Sequence, residues 1–246
     1  MTPAQATALR DLRYIGRSFP FGMTVAVFIS VFAVVFCRAL FAPSSLELPL
    51  PAVWALAVAP CLPFLCALVS ARMFSSERSS GMLETFMASP ITEAELVAGK
   101  FGSAFVLCAG AVILTLVVPL FVLPRCVPGS TAAIALAQYL CPLLAMILQC
   151  AFWCALGVLI SLLCANIVSA VAVSLLICGV LPWGFYFTAL ACLPEVRSQM
   201  AYLPTLQHAL DASSGMFAFG AVVGYPACAF FFLFAASRLL AMERFR

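Results

Sequence analysis

Hydrophobic and charged positions alternate along this chain on the scale of whole helices. Arg17 and Arg38 enclose 20 uncharged residues, Glu47 and Arg72 enclose 24, and Lys100 and Arg125 enclose 24. A charged side chain costs roughly 2.5 to 3.5 kcal/mol at the centre of an inserted helix, so long uncharged gaps mark membrane spans. Each of these gaps fits one helix, because a bilayer core of about 30 Å takes about 20 residues. The gap from Arg125 to Glu195 holds 69 residues and the gap from Asp211 to Arg238 holds 26. Within the longer gap, Pro128-Gly129-Ser130 and Pro194 bound the apolar run, and Ser161 to Asn166 offers a polar-tipped turn. This reading predicts two helices there and six in all, at about 19–41, 52–72, 101–124, 134–163, 167–193 and 213–238.

The distribution of Lys and Arg tests that count, since cytoplasmic segments are enriched in both. With both termini cytoplasmic, Arg10, Arg13, Arg17, Arg72, Arg78, Lys100, Arg238, Arg244 and Arg246 lie inside, and Arg38, Arg125 and Arg197 outside. A seventh helix would place the basic C-terminus on the wrong side. Composition agrees with a polytopic all-α membrane protein: 65% of residues are hydrophobic, 9% are charged, and the mean hydropathy is +1.18. The net charge of +3 then reflects membrane orientation and predicts no nucleic-acid partner.

One polar island interrupts the pattern. Seven charged side chains fall between Arg72 and Lys100: Arg72, Glu77, Arg78, Glu84, Glu93, Glu95 and Lys100. A bare connector needs fewer. Met82, Leu83, Phe86 and Met87 share one face at helical spacing. Ser89-Pro90 ends that helix, because the residue before proline avoids the helical region. Thr92-Glu93-Ala94-Glu95 has the pattern of a capping box and predicts a second helix that runs into the third span. A helix-break-helix projecting from two spans can transmit a push.

The remaining chemistry points elsewhere only weakly. Residues Ala4 to Arg17 read either as a short helix in the headgroup layer, with Leu9, Leu12 and Ile15 apolar, or as an ordinary basic flank. The N-terminus is expected to be retained, since no small-x-small site follows Val31 to Phe36 and Phe36 precedes Cys37. The 12 cysteines are spread over the spans, contain no CxxC, and read mostly as small apolar residues. No metal, cofactor or catalytic residue is therefore expected. Ser161 and His208 fall at opposite ends of the predicted bundle, which argues against an intramembrane hydrolase pair. Gln138, Gln149, Asn166 and Ser174 read as interhelical hydrogen-bonding groups. With charges only near the ends of the predicted spans, ion-coupled transport has little to work with.

The island resembles the permease subunits of type-2 ABC exporters, particularly the gliding-motility and copper-maturation branch. The residues that carry the resemblance are Glu77-Arg78, Gly81, Leu83-Glu84, Ser89-Pro90-Ile91, Glu95 and Gly99-Lys100, in the pattern E-[KR]-x-x-G-T-L-E-x-L-x-x-S-P-[IV]-x-x-x-E-x-x-x-G-K. Met82 departs from it, standing where the family usually has Thr. Phe19-Pro20-Phe21-Gly22, Gly157 to Ser161 with Asn166, and Leu203-Pro204 with His208, Gly215 and the C-terminal tail are weaker echoes.

The resemblance implies a single permease domain over 1–246 in the bacterial inner membrane, with an interfacial segment at 1–18 and a coupling segment at 73–100. It implies a separate ABC ATPase subunit that holds the ATP, a second permease copy or a related permease, and an extracytoplasmic accessory protein. Consistent with that division, the chain has no glycine-rich phosphate loop. Glu77, Arg78, Gly81, Glu84, Pro90, Glu95 and Lys100 form the expected coupling set. Gly81 and Pro90 would shape the backbone, Glu84 and Glu95 would make polar contacts or anchor helix ends, and Lys100 would mark the membrane surface. A membrane scaffold that only anchors soluble partners is the alternative reading. Trp153, Trp183, Phe185, Tyr186 and Phe187 suit an apolar cargo and lipid contact equally, so the substrate stays open.

Overall fold

Proline placement and charge gaps divide the chain into helices, and the computed structural model contains no other regular element among the residues it describes: 3–40, 49–82, 91–119, 132–191, 205–216 and 219–244. In chain order these are α1 (Pro3–Gly16), α2 (Phe19–Leu40), α3 (Leu50–Val58), α4 (Leu62–Ser70), α5 (Arg72–Ser79), α6 (Glu93–Thr115), α7 (Ala132–Leu163), α8 (Ile167–Ala191), α9 (Thr205–Ser213) and α10 (Phe219–Arg244). Among the described residues, five stretches are long and apolar enough to cross a membrane: Phe19–Arg38, Leu50–Ser79, Glu93–Pro119, Gln138–Leu163 and Phe219–Glu243. α8 coincides with the fifth of the six expected spans and holds a shorter apolar stretch, Ile167–Pro182.

The run from Leu50 to Ser79 is the centre of the bundle. Of its most apolar stretch 78% is buried, against 17% for Phe19–Arg38 and 11% for Phe219–Glu243. It differs from the single helix expected there, being three short helices in series. Pro60 and Pro63 supply the first break, since proline donates no amide and its ring crowds the preceding turn; Pro63 sits in the first turn of α4, where that loss is harmless. The second break, at Ala71, is followed by two serines that bond back one turn, Ser75 Oγ to the Ala71 carbonyl and Ser76 Oγ to the Arg72 carbonyl, both at 2.6 Å. Such back-bonding bends helices.

Close helix crossings hold the centre together. Gly157 on α7 faces Ser70 on α4 so closely that a Cβ at Gly157 would lie 1.8 Å from Ser70 Oγ. Small residues at such crossings are how membrane helices gain contact area. Trp54 Nε1 donates to Thr115 Oγ1 at 3.1 Å, tying α3 to α6, and the Trp54 ring meets Tyr139 of α7 edge-on at 6.0 Å. A turn at 164–166 joins α7 to α8.

α1 packs along α6, with lesser contact to α2. Its packed stripe is Thr7, Asp11 and the half-buried Ala8, Leu12 and Ile15, whereas Leu9 is exposed. The stripe follows helical spacing, and a carboxylate lies at its centre.

Candidate functional site

The polar island is built on the end of the central run. Breaking the helix at Ala71 frees the first amides of α5, and a neighbouring helix satisfies them. Ser161 Oγ, at the end of α7, accepts from Phe74 N and Ser75 N, each at 3.0 Å, and donates to the Ala71 carbonyl at 2.7 Å. This cap from another chain segment does what an N-cap side chain normally does locally. It also fixes the direction in which α5 leaves the bundle.

The last turn of α5 carries Glu77 and Arg78. Glu77 turns inward, and its Oε1 lies 2.6 Å from Lys100 Nζ and 3.0 Å from Arg10 Nη2. Asp11 completes the cluster, with Oδ2 at 3.0 Å from Lys100 Nζ and Oδ1 at 2.6 Å from Arg10 Nη2. Two acids and two bases thus cancel. Burial makes the cancellation necessary, because the side chains of Lys100, Asp11 and Glu77 are only 2%, 6% and 11% exposed. An unpaired charge at such depth would carry a desolvation penalty of several kcal/mol. Lys100 also lies 5.4 Å from the ring centre of Phe74, a cation–π distance. Lys100 is therefore an interior partner to Glu77 and Asp11.

Arg78 points the other way and forms an ion pair with Glu243 near the end of α10. Beyond it the chain turns at Gly81, whose φ of +72° is reached cheaply only without a Cβ. Its amide bonds the Arg78 carbonyl at 3.2 Å, closing α5. On the return, α6 opens with the expected capping box. Glu95 N donates to Thr92 Oγ1 at 3.4 Å, and Thr92 N donates to the Glu95 carboxylate at 3.2 Å. Glu95 is thus a helix-end anchor.

Of the seven residues expected to couple, Glu77 and Lys100 meet directly. Arg78 and Gly81 follow on the same arm, and Glu95 opens the returning helix. Glu84 and Pro90 lie outside the described residues. Sequence reasoning missed Arg10, Asp11, Ser161 and Glu243. The only local signal was Asp11 itself, the lone acid in a basic N-terminal stretch and four residues after Thr7.

The four-charge cluster has the character of a clamp. Lys100 and Arg10 engage both Asp11 oxygens and Glu77 Oε1. His208 Nδ1 lies 2.7 Å from Tyr225 Oη, and Ser161 is committed to the start of α5.

Residues 5–208 match the family described as ABC-2 family transporter protein. The chain belongs to the ABC-2 transporter family. Family membership and the apolar helices together make it an integral membrane protein and the membrane component of an ABC transporter. The matched region of this ABC-2 chain contains the whole four-charge cluster and the polar island, and it ends before Glu243. No curated protein matches the chain.

Proposed function

We propose that this chain is the permease subunit of an ABC exporter, driven by a separate ATPase subunit that docks on the 75–100 segment. The observation that carries the reading is the clamp at the base of the island. Glu77 and Lys100 hold the outgoing and returning arms together, and Asp11 and Arg10 tie both to α1. Ser161 joins the outgoing arm to α7, and Arg78 joins it to α10. A segment whose feet are fixed to three other helices passes on a displacement as rigid-body motion instead of absorbing it by bending.

In this reading Glu77, Arg78, Gly81, Glu84, Pro90, Glu95 and Lys100 remain the coupling set, with divided roles. Glu77, Lys100 and Arg78 are the base, Gly81 and Glu95 shape the two arms, and Glu84 and Pro90 belong to the surface offered to the ATPase. Both termini and the island are cytoplasmic, and six spans cross the bacterial inner membrane. A second permease copy or a related chain completes the pathway, with ATP held by the ATPase and an accessory protein receiving cargo outside. The resemblance to the gliding-motility and copper-maturation branch supports export as the direction.

Reconstitution with the ATPase subunit tests the reading. Substituting Glu84→Ala with Gly81→Ala should leave the protein inserted and dimeric while ATP hydrolysis loses its dependence on the permease. Unchanged stimulation of hydrolysis by the double variant would overturn the docking assignment.

A further inference from the structure

Four cysteines that are far apart in sequence meet inside the bundle. Cys66 on α4, Cys108 on α6 and Cys150 and Cys154 on α7 have sulfur atoms that all lie within 4.8 Å of one another. Cys66 and Cys150 are 3.8 Å apart, Cys150 and Cys154 are 4.0 Å apart, and all four residues are fully buried. The six other described cysteines, Cys37, Cys61, Cys141, Cys164, Cys178 and Cys228, take no part.

Packing of small apolar residues explains why a cysteine can occupy any one of these positions. It does not explain the shape of the group. With metal–sulfur bonds of about 2.3 Å, the edge of a tetrahedral four-sulfur site is about 3.8 Å. The separations of 3.8 and 4.0 Å lie close to that value, and no other exceeds it by more than about an ångström. An iron–sulfur cluster would hold its cysteines around a core of several atoms and demand wider spacing. Each cysteine ligates as its thiolate, so loading the site releases its protons from sulfur and binding tightens as pH rises.

We propose that Cys66, Cys108, Cys150 and Cys154 form a binding site for one soft, four-coordinate metal ion of the zinc(II) class. All four positions are filled by protein sulfur, which is the closed arrangement of structural sites, as opposed to catalytic sites with an open position. The ion would staple α4, α6 and α7, the three helices that carry the island's two arms and their Ser161 support. This site is independent of the ATPase-docking reading, since it stands on the sulfur geometry alone.

The test uses the full-length chain, purified in mild detergent under reducing conditions with its affinity tag removed. Elemental analysis should find about one equivalent of metal, zinc first, as the closed S4 site predicts. After removal with a chelator, cobalt(II) should restore one equivalent and give the thiolate charge-transfer and tetrahedral ligand-field absorption of a sulfur site. Cys150→Ala and Cys66→Ala should lose both signals, and Cys178→Ala should keep them. The wild-type measurement decides even if the variants fold poorly. Four reactive thiols with no metal and no cobalt spectrum, Cys66–Cys150 or Cys150–Cys154 recovered as a disulfide, or a signal that survives Cys150→Ala would each overturn the proposal.

Discussion

Lys100 Nζ lies 2.6 Å from Glu77 Oε1, so the two ends of the polar island meet inside the protein and not at its surface. Removing one partner leaves a buried charge uncompensated. Lys100→Met should therefore lower stability by about 3 to 5 kcal/mol, read as a fall in the thermal unfolding midpoint of the purified protein. Removing both partners leaves Arg10 and Asp11, which already pair with each other. The double variant Lys100→Met/Glu77→Met should be more stable than Lys100→Met alone, and a double variant that is worse would contradict the four-charge clamp.

Gly81 tests the shape of the outgoing arm. Its positive φ disfavours any residue with a Cβ, although nothing lies within 4 Å of the place a Cβ would occupy. The cost is conformational, on the order of 1 to 2 kcal/mol for alanine, and it should be smaller for asparagine. Limited proteolysis of the 75–100 segment should quicken in the order Gly81, Gly81→Asn, Gly81→Ala. Equal rates would mean that the turn does not hold the arm.

Thr92 should matter through its hydroxyl. Thr92→Ala removes the hydroxyl that accepts from Glu95 N and should cost about 1 kcal/mol, while Thr92→Ser should restore most of it. Hydrogen exchange at the amides of the first turn of α6 reports the difference directly.

At the crossing of α4 and α7, Gly157→Ala should destabilise by about 1 to 3 kcal/mol, as overpacked sites do. The added methyl would meet Ser70 Oγ at 1.8 Å and Ser70 Cβ at 2.9 Å, so removing the hydroxyl alone is not enough relief. Ser70→Gly in the same chain should recover stability that Ser70→Ala does not. Unfolding midpoints of the three variants settle the comparison.

Much of this architecture was legible in the chain because its causes are local. Charge-free gaps follow from the cost of a charge in lipid, and the Thr92–Glu95 capping box spans four residues. What stayed hidden depends on contacts between distant residues. Asp11 looked like part of a basic flank until α6 brought Lys100 against it. Lys100 stood in the resemblance as a residue at the membrane surface, and its partners Glu77 and Asp11 are too distant in sequence to foresee. Ser161 could be read as a turn residue, and only the break at Ala71 gives its hydroxyl two amides to accept. The four clustered cysteines share no motif beyond the one-turn spacing of Cys150 and Cys154. Their convergence follows from how three helices cross, which periodicity does not encode.

The docking of an ATPase on the island is tested most directly by what co-purifies. Tagged protein drawn from native membranes in mild detergent should bring with it a stoichiometric ATPase carrying a glycine-rich phosphate loop, and the Glu84→Ala/Gly81→Ala variant should lose it while remaining inserted. Recovery of the intact permease without any such subunit, under conditions that preserve other membrane complexes, would contradict the account and leave a membrane scaffold.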